Sequence, residues 1–289
     1  MDHRGHLTKD GIRIYDPANF AGMSEAGRIA AQILDDIVPH VTVGNTTGAI
    51  DRVITNMVDA HGVRSATIGY KGYQHASCIS VNHVVCHGIP GAPIPKSGSE
   101  TVSRDLEKRR KDDTLVDGDI VNIDVTVVVD GWFGDTSRMY VAGTPSKKAE
   151  KLIQVTHDAL FKGIEAVKPG NTFGDIGHAI QTYVEDRRMS VVRDFCGHGL
   201  GAVFHAPPNV LHYGRAGTGP VLEEGMFFTI EPMVNLGRKE TFVLQDEWTA
   251  VTRDKSLSAQ FEHSVGVTSD GVEIFTLSPG GLYHPTFGL

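Results

Sequence analysis

No stretch of this 289-residue chain approaches the roughly 20 consecutive apolar residues that a membrane span requires. The first ten residues also hold no apolar run of the kind a secretory signal carries. A membrane-spanning protein and an exported one are both excluded on this reading, and a cytoplasmic location is expected. Cysteine is scarce. Cys78, Cys86 and Cys196 are the only three, an odd number scattered along the chain, which excludes a disulfide framework and implies reduced, buried thiols. Nor is there a surplus of basic charge. Lys and Arg number 27 against 35 Asp and Glu, a formal net charge of -8, so no general field draws the chain to DNA or to an anionic membrane. Any basic contact must be local. Familiar chemical signatures are missing too: there is no His-Glu-x-x-His helix motif, no phosphate loop ending in Gly-Lys-Ser/Thr and no zinc-spaced cysteine pair. The run Gly197-His-Gly199-Leu-Gly201 has a superficial likeness to a dinucleotide loop but lacks the spacing of its third glycine.

What is present is an ordinary globular composition, 40% apolar, able to fill a sizeable core. Residues 1–22, broken by Gly5, Gly11 and Pro17, read as an extended N-terminal arm, and residues 23–289 as one domain. Apolar residues at helical spacing (Ile29, Ile33, Ile37) predict a helix over 23–38 and a second periodic run one over 50–60; further helices fit 149–167 and 173–188. The β-branched run 120–129, the turn pair Asp130-Gly131 and the return over 132–141 predict a hairpin. Helices followed by hairpin strands occur twice, which indicates an α+β fold.

The repetition extends to the residues themselves. Val41-Thr-Val-Gly-Asn-Thr-Thr-Gly-Ala-Ile50 parallels Val167-Lys-Pro-Gly-Asn-Thr-Phe-Gly-Asp-Ile176, and Cys86-His-Gly88 parallels Cys196-Gly-His-Gly199. Gly118-Asp-Ile-Val-Asn-Ile-Asp124 matches Gly225-Met-Phe-Phe-Thr-Ile-Glu231, and Asp135-Thr-Ser137 matches Glu262-His-Ser264. Four matches in one order imply two pseudo-symmetric halves, each lending a histidine and two strand acids to a shared cleft.

With Asp130 and Gly131 at the turn centre, Asp124 lies opposite Ser137 and Asp135 opposite Thr126. Period two then puts both acids on one face as diagonal neighbours, their backbones roughly 7 to 8 Å apart. Flanked by Ile123, Val125 and Val127, Asp124 is a costly buried charge unless something compensates it. An exposed, solvated hairpin face is the plainer alternative, and Glu231, Glu262 and His198 from the second half weigh against it. Four carboxylates and a neutral imidazole balance two dications, and water between such ions is acidified towards hydroxide near neutral pH. Ligation mostly by oxygen suits manganese, iron or cobalt over structural zinc without choosing among them.

These residues resemble the type I methionine aminopeptidases of the pita-bread fold, two pseudo-symmetric halves around a central antiparallel sheet. The resemblance runs from about residue 23 to 277. It is carried by Gly69-Tyr-Lys-Gly-Tyr73, Cys78-Ile-Ser-Val-Asn82, Val84-Val-Cys-His-Gly-Ile-Pro90, Asp117-Gly-Asp-Ile-Val-Asn-Ile-Asp124, Gly134-Asp-Thr136, Gly197-His-Gly-Leu-Gly201, Phe228-Thr-Ile-Glu-Pro-Met233 and Ser256-Leu-Ser-Ala-Gln-Phe-Glu-His263. It implies two divalent ions, whether cobalt, manganese, iron or zinc. Asp124 would serve one, His198 and Glu231 the other, while Asp135 and Glu262 bridge both. It further implies His87 and His205 as donors beside the scissile amide, Glu231 as the acid and base, and an apolar pocket of Tyr70, Tyr73, Cys78, Phe204 and Trp248. The expected activity is release of N-terminal methionine from nascent polypeptides, small second residues being favoured, by a monomer.

Three departures stand out. The run after His198 reads Gly-Leu-Gly-Ala202 where Gly-Ile-Gly-Arg is common in the family. His83 replaces a usual acid beside Asn82, whose loop holds a monovalent cation in relatives. An extra segment occupies about 91–113. Ser97-Gly-Ser-Glu100 predicts a short helix there, docked through Val102 and Leu106, on an exposed flap ending in the basic run Lys108-Arg-Arg-Lys111. That run is a solvated charged face or, more sharply, a contact for ribosomal RNA. A prolidase-like peptidase of the same fold is the second enzymatic reading, although such chains carry an added N-terminal domain. A metal-free pita-bread binding module is the non-enzymatic one.

Overall fold

The computed structural model describes residues 4–96 and 109–285. The helix expected from Ser97 to Leu106, and Lys108, lie outside the described residues.

Among the described residues four α-helices pack on the strands: α1 (Phe20–Asp36), α2 (Thr47–Ala60), α3 (Lys147–Glu165) and α4 (Phe173–Glu185). Local chemistry sets where α2 and α4 start, and in both a threonine preceded by an asparagine supplies it. The Thr46 hydroxyl caps α2 by accepting the Ala49 N–H at 3.1 Å. Thr172 caps α4 in a reciprocal box, its own N–H donating to Asp175 at 2.7 Å. Just upstream, Asn45 donates to the His40 carbonyl at 2.7 Å and Asn171 to that of Ala166 at 2.8 Å. The Gly-Asn-Thr repeat is therefore one helix-starting device used twice.

In the first half, strands Asp119–Val129 and Trp132–Ala142 form the hairpin, with Asp124 paired to Ser137 and Thr126 to Asp135 as the turn chemistry predicts. Asp130 (φ 48°) and Gly131 (φ 78°) both take the left-handed conformation that a tight two-residue hairpin turn needs. Ser77–Val81 adds to the other edge of the first strand and places Cys78 beside Asp124. In the second half, Phe227–Ile230 pairs with His263–Val267 and, through Phe228, with Gly197–Gly199.

The halves are stitched at the centre. Glu262 N–H donates to the Ser137 carbonyl at 3.1 Å, Thr136 hydroxyl to the Glu262 carbonyl at 2.7 Å, and Ser264 hydroxyl to the Asp135 carbonyl at 2.6 Å. Helix α1 lies against the hairpin, where a side chain at Gly134 would collide with the Ala26 carbonyl oxygen. Tyr140 donates to the Leu34 carbonyl and Arg138 pairs with Asp35, each at 2.6 Å. Helices α3 and α4 cover the second half over Leu152, Ile153, Leu160, Ile176 and Ile180. The acid-bearing face of the sheet is left open on the opposite side.

One feature extends the sequence reading and one corrects it. The N-terminal arm is docked, because Tyr15 is buried, stacks on Phe227 at 4.6 Å and accepts the Ala202 N–H at 2.9 Å. An aromatic ring so placed is worth more covered than exposed. The two ends of the extra segment are likewise held inward and do not form the base of a free flap. Ile94 is buried, Pro95 bridges to Arg109, and Arg110 clamps Asp119 through two contacts of 2.6 Å. Their reason is shared: an apolar side chain and two guanidinium groups find better partners inside than in water.

Candidate metal centre

Asp124 and Asp135 arrive from the two hairpin strands, His198 from Gly197–Gly199, Glu231 from the end of Phe227–Ile230, and Glu262 just before His263–Val267. Ligand atoms of Asp135, His198 and Glu262 all lie within 4.8 Å of one another. His198 Nε2 is 3.5 Å from Asp135 and 3.8 Å from Glu231. Its Nδ1 donates to the Gly199 carbonyl at 3.1 Å, which assigns the lone pair of a neutral ring to Nε2, on the side of the acids.

So much negative charge in one place is unstable without a counter-ion. Burial, then the charges of Asp135 and Glu231, hold the Asp124 carboxyl well above its usual range. Burial and the same neighbours do so for Glu262, and burial lifts Glu231 to about 7 although His198 opposes the rise. Burial works against a His198 imidazolium, yet its bond to Asp135 and the charge of Glu231 outweigh it and raise the pKa. The only lysine or arginine lining the cavity, among the described residues, is Lys71. Carboxylates that converge while resisting ionisation, beside a correctly oriented imidazole, fit divalent cations by charge and by donor type.

Polar neighbours orient these acids, and several escaped the sequence reading. Thr126 donates to Asp135 at 2.6 Å and Thr229 to Glu231 at 2.8 Å. Gln260 reaches the other Glu231 oxygen at 3.3 Å. Strand alternation could have found Thr229 and Gln260, two residues before Glu231 and Glu262 on the same face. His212 had no such signal. Fully buried, it accepts the Glu231 N–H at 3.0 Å, and burial depresses its pKa to about 3, which keeps the ring neutral.

Above the acids opens a cavity of about 730 Å³ whose lining includes Asp124, Asp135, His198, Glu231 and Glu262 together with Tyr70, Tyr73, Cys78, His87, Phe204, His205 and Trp248. Every site residue expected from the sequence thus borders one space. His87 sits at φ 58°, a left-handed conformation rare outside glycine, and its ring meets Phe195 edge-on at 5.5 Å. His205 stacks on Tyr70 at 5.1 Å and approaches the His198 ring at 4.2 Å. Burial, followed by the neighbouring His198, lowers His205 to about 4, and burial lowers His87. Both are neutral near pH 7. Tyr73 packs on Trp248 at 4.9 Å, and burial pushes the Cys78 thiol up, keeping it protonated. Phe195, Cys196, Asn209 and Met233 also line the cavity and were not expected.

A model of metallopeptidase family M24 matches residues 21–269. The chain is 51% identical over 277 residues to the methionine aminopeptidase of Rickettsia prowazekii, covering 96% of this chain and 99% of that one. The crystal structure of that enzyme superposes with a TM-score of 0.83 over 92% of this chain and all 100% of that one. Methionine aminopeptidase from Thermotoga maritima, 37% identical, gives 0.82 over 92% and 99%. The prolidase from Pyrococcus horikoshii shares the fold at 19% identity and a TM-score of 0.66, this chain covering 63% of it.

Proposed function

The chain belongs to metallopeptidase family M24, among the methionine aminopeptidases, and from that premise we propose how its residues release an N-terminal methionine from nascent polypeptides in the cytoplasm. The observation that carries the reading is the convergence of Asp135, His198 and Glu262 within 4.8 Å beneath an aromatic and thiol-lined cavity. Asp124, Asp135, His198, Glu231 and Glu262 would hold the ions. Divalent ions held there supply Lewis acidity and an acidified water at neutral pH. Cobalt, manganese, iron and zinc all remain compatible with this donor set.

The chain's own residues do the rest. Tyr73, Cys78, Phe204 and Trp248, with Tyr70 at the rim, offer an unbranched thioether side chain an apolar, polarizable bed. Neutral His205 donates a hydrogen bond towards the oxygen on which charge develops, and neutral His87 steadies the scissile amide nitrogen. Glu231, whose proton affinity is raised to near neutrality by burial, takes a proton from the attacking water and returns it to the leaving amine. No monovalent cation is placed beside Asn82. The Asn82 side chain is already engaged with Asp119 and the Ile120 N–H, and Arg110 and Lys255 both bear positively on His83. The chain acts as a monomer. Any contact with ribosomal RNA falls mainly to Lys108 and Lys111, since Arg109 and Arg110 have carboxylate partners.

The deciding assay compares Met-Ala-Ser with Xaa-Pro peptides across several metals. Release of methionine, dependent on added metal, is expected. Cleavage confined to the Xaa-Pro peptides would move the chain to the prolidase-like reading.

A further inference from the structure

Arg109 stands outside the chemistry described so far, at the end of the extra segment, yet its guanidinium reaches the turn next to a pocket residue. Nη2 donates to Asp246 at 2.8 Å, both side chains being about four-fifths buried, and Nη1 donates to the Pro93 carbonyl at 3.3 Å. Its backbone is held by the bridge to Pro95, and the next residue, Arg110, is locked on Asp119. The cation is therefore presented from a fixed stem.

Asp246 uses its remaining capacity on one turn. Oδ1 accepts the N–H groups of Trp248 at 3.1 Å and Thr249 at 2.8 Å, and Oδ2 accepts the Thr249 hydroxyl at 2.8 Å. Between them Glu247 has φ 65°, a conformation that a non-glycine residue holds only when its surroundings impose it. That turn sets the Trp248 indole 4.9 Å from the Tyr73 ring and 6.3 Å from His87. One carboxylate thus ties a strained, indole-bearing turn to a cation that belongs to a different segment.

We propose that Arg109 is a positioning residue for the substrate pocket: through Asp246 it holds the turn that carries Trp248, so that the extra segment shapes the space into which the methionine side chain fits. This rests on the reading of that cavity as the substrate pocket. Arg109 is remote from the reacting atoms, so losing it should weaken binding and leave turnover nearly intact.

The test uses the metal-loaded enzyme in Arg109→Ala, Arg109→Gln and Arg109→Lys forms, assayed on Met-Ala-Ser. In parallel, a Trp132→Phe background leaves Trp248 as the sole indole of the two in the chain, and acrylamide quenching reads its exposure. Arg109→Ala and Arg109→Gln should raise KM by about 3- to 10-fold with kcat within about twofold, and make Trp248 more readily quenched. Arg109→Lys, which keeps a charged donor, should recover most of both. Asp246→Asn should resemble Arg109→Gln, with little further effect when the two are combined. Parental KM and quenching in Arg109→Gln overturn the proposal. So does a parallel fall in kcat and melting temperature that Arg109→Lys fails to correct, since that marks packing of the stem alone. Should Arg109→Ala not fold, the length-conserving Gln variant decides. A parent that releases no methionine, while Trp248 quenching still responds to Arg109→Gln, faults the functional reading and leaves the positioning intact.

Discussion

At the scale of single residues, the centre carries more negative charge than its protein surroundings neutralise, and this determines what each substitution should do. Asp124→Asn and His198→Ala remove a proposed ligand from the proposed metal site, leaving the apolar clusters behind it untouched. Both variants should lose peptidase activity while retaining cooperative melting, and wild-type activity at saturating metal in either would contradict the dinuclear assignment. Glu231→Gln should lower turnover by roughly 10² to 10⁴ fold, the usual range for a general acid and base. Because Glu231 is also a proposed ligand, metal content must be measured on the same sample; near-normal turnover at full occupancy would remove it from the proton transfer. Threonine and glutamine donors to these acids were findable by alternation along a strand. His212 was not, because it reaches the Glu231 N–H from a segment with no pairing to that strand in the sequence pattern.

At the scale of elements, the duplicated Gly-Asn-Thr helix start makes a paired prediction. Thr46→Ala and Thr172→Ala each remove a capping hydroxyl from the beginning of a helix and should each cost about 1 kcal/mol, seen as a lower denaturation midpoint with an unchanged slope. Metal affinity should not change, since neither helix start lines the site. A loss confined to one variant would show that the two helix starts, alike in sequence, differ in how far their other contacts support them. The hairpin was readable to the residue. Asp130-Gly131 dictates the turn, the turn dictates the register, and the register pairs Thr126 with Asp135. Helix limits were less accurate: α1 begins at Phe20 and not at residue 23, because a short 3₁₀ turn over Pro17–Asn19 leads directly into it and periodicity carries no information about such a lead-in.

At the scale of the whole molecule, pH should act in opposite senses on the contribution of the site acids in the metal-free and metal-loaded protein. Asp124, Glu231 and Glu262 have folded pKa values above their unfolded ones, so without metal their contribution is present at low pH and is lost as pH rises, for Glu231 from about 4.5 towards 7. His198, also raised, adds in the same direction. Bound cations reverse the balance by favouring the ionised ligands. The increase in melting temperature produced by metal over a chelator-treated sample should therefore grow between pH 5 and 8; an increment independent of pH would mean that other groups hold the ions. Buried histidines add a pH dependence of their own, with or without metal. Burial lowers His83 to about 4, helped by Lys255 and Arg110, and His212 to about 3. Their contribution is complete above pH 6.5 and is lost as pH falls, at up to roughly 1.4 kcal/mol per unit for each group. Acid should thus lower the denaturation midpoint even at saturating metal. The sequence alone determined the order of the helices and the hairpin, the hairpin register, the duplicated halves and, with the family motifs, part of the cavity lining. These follow from short-range rules, namely strand alternation, turn stereochemistry and helix capping, or from motifs whose spacing is itself local. Only the tertiary structure decided which polar groups meet across long separations. Arg109 and Arg110, adjacent in an apparently solvated basic run, turn to Asp246 and Asp119, and Tyr15 closes over Phe227. The physical reason is that a charge or a ring is stabilised by whatever partner folding brings within a few ångströms, and no periodicity in the chain encodes which one that will be.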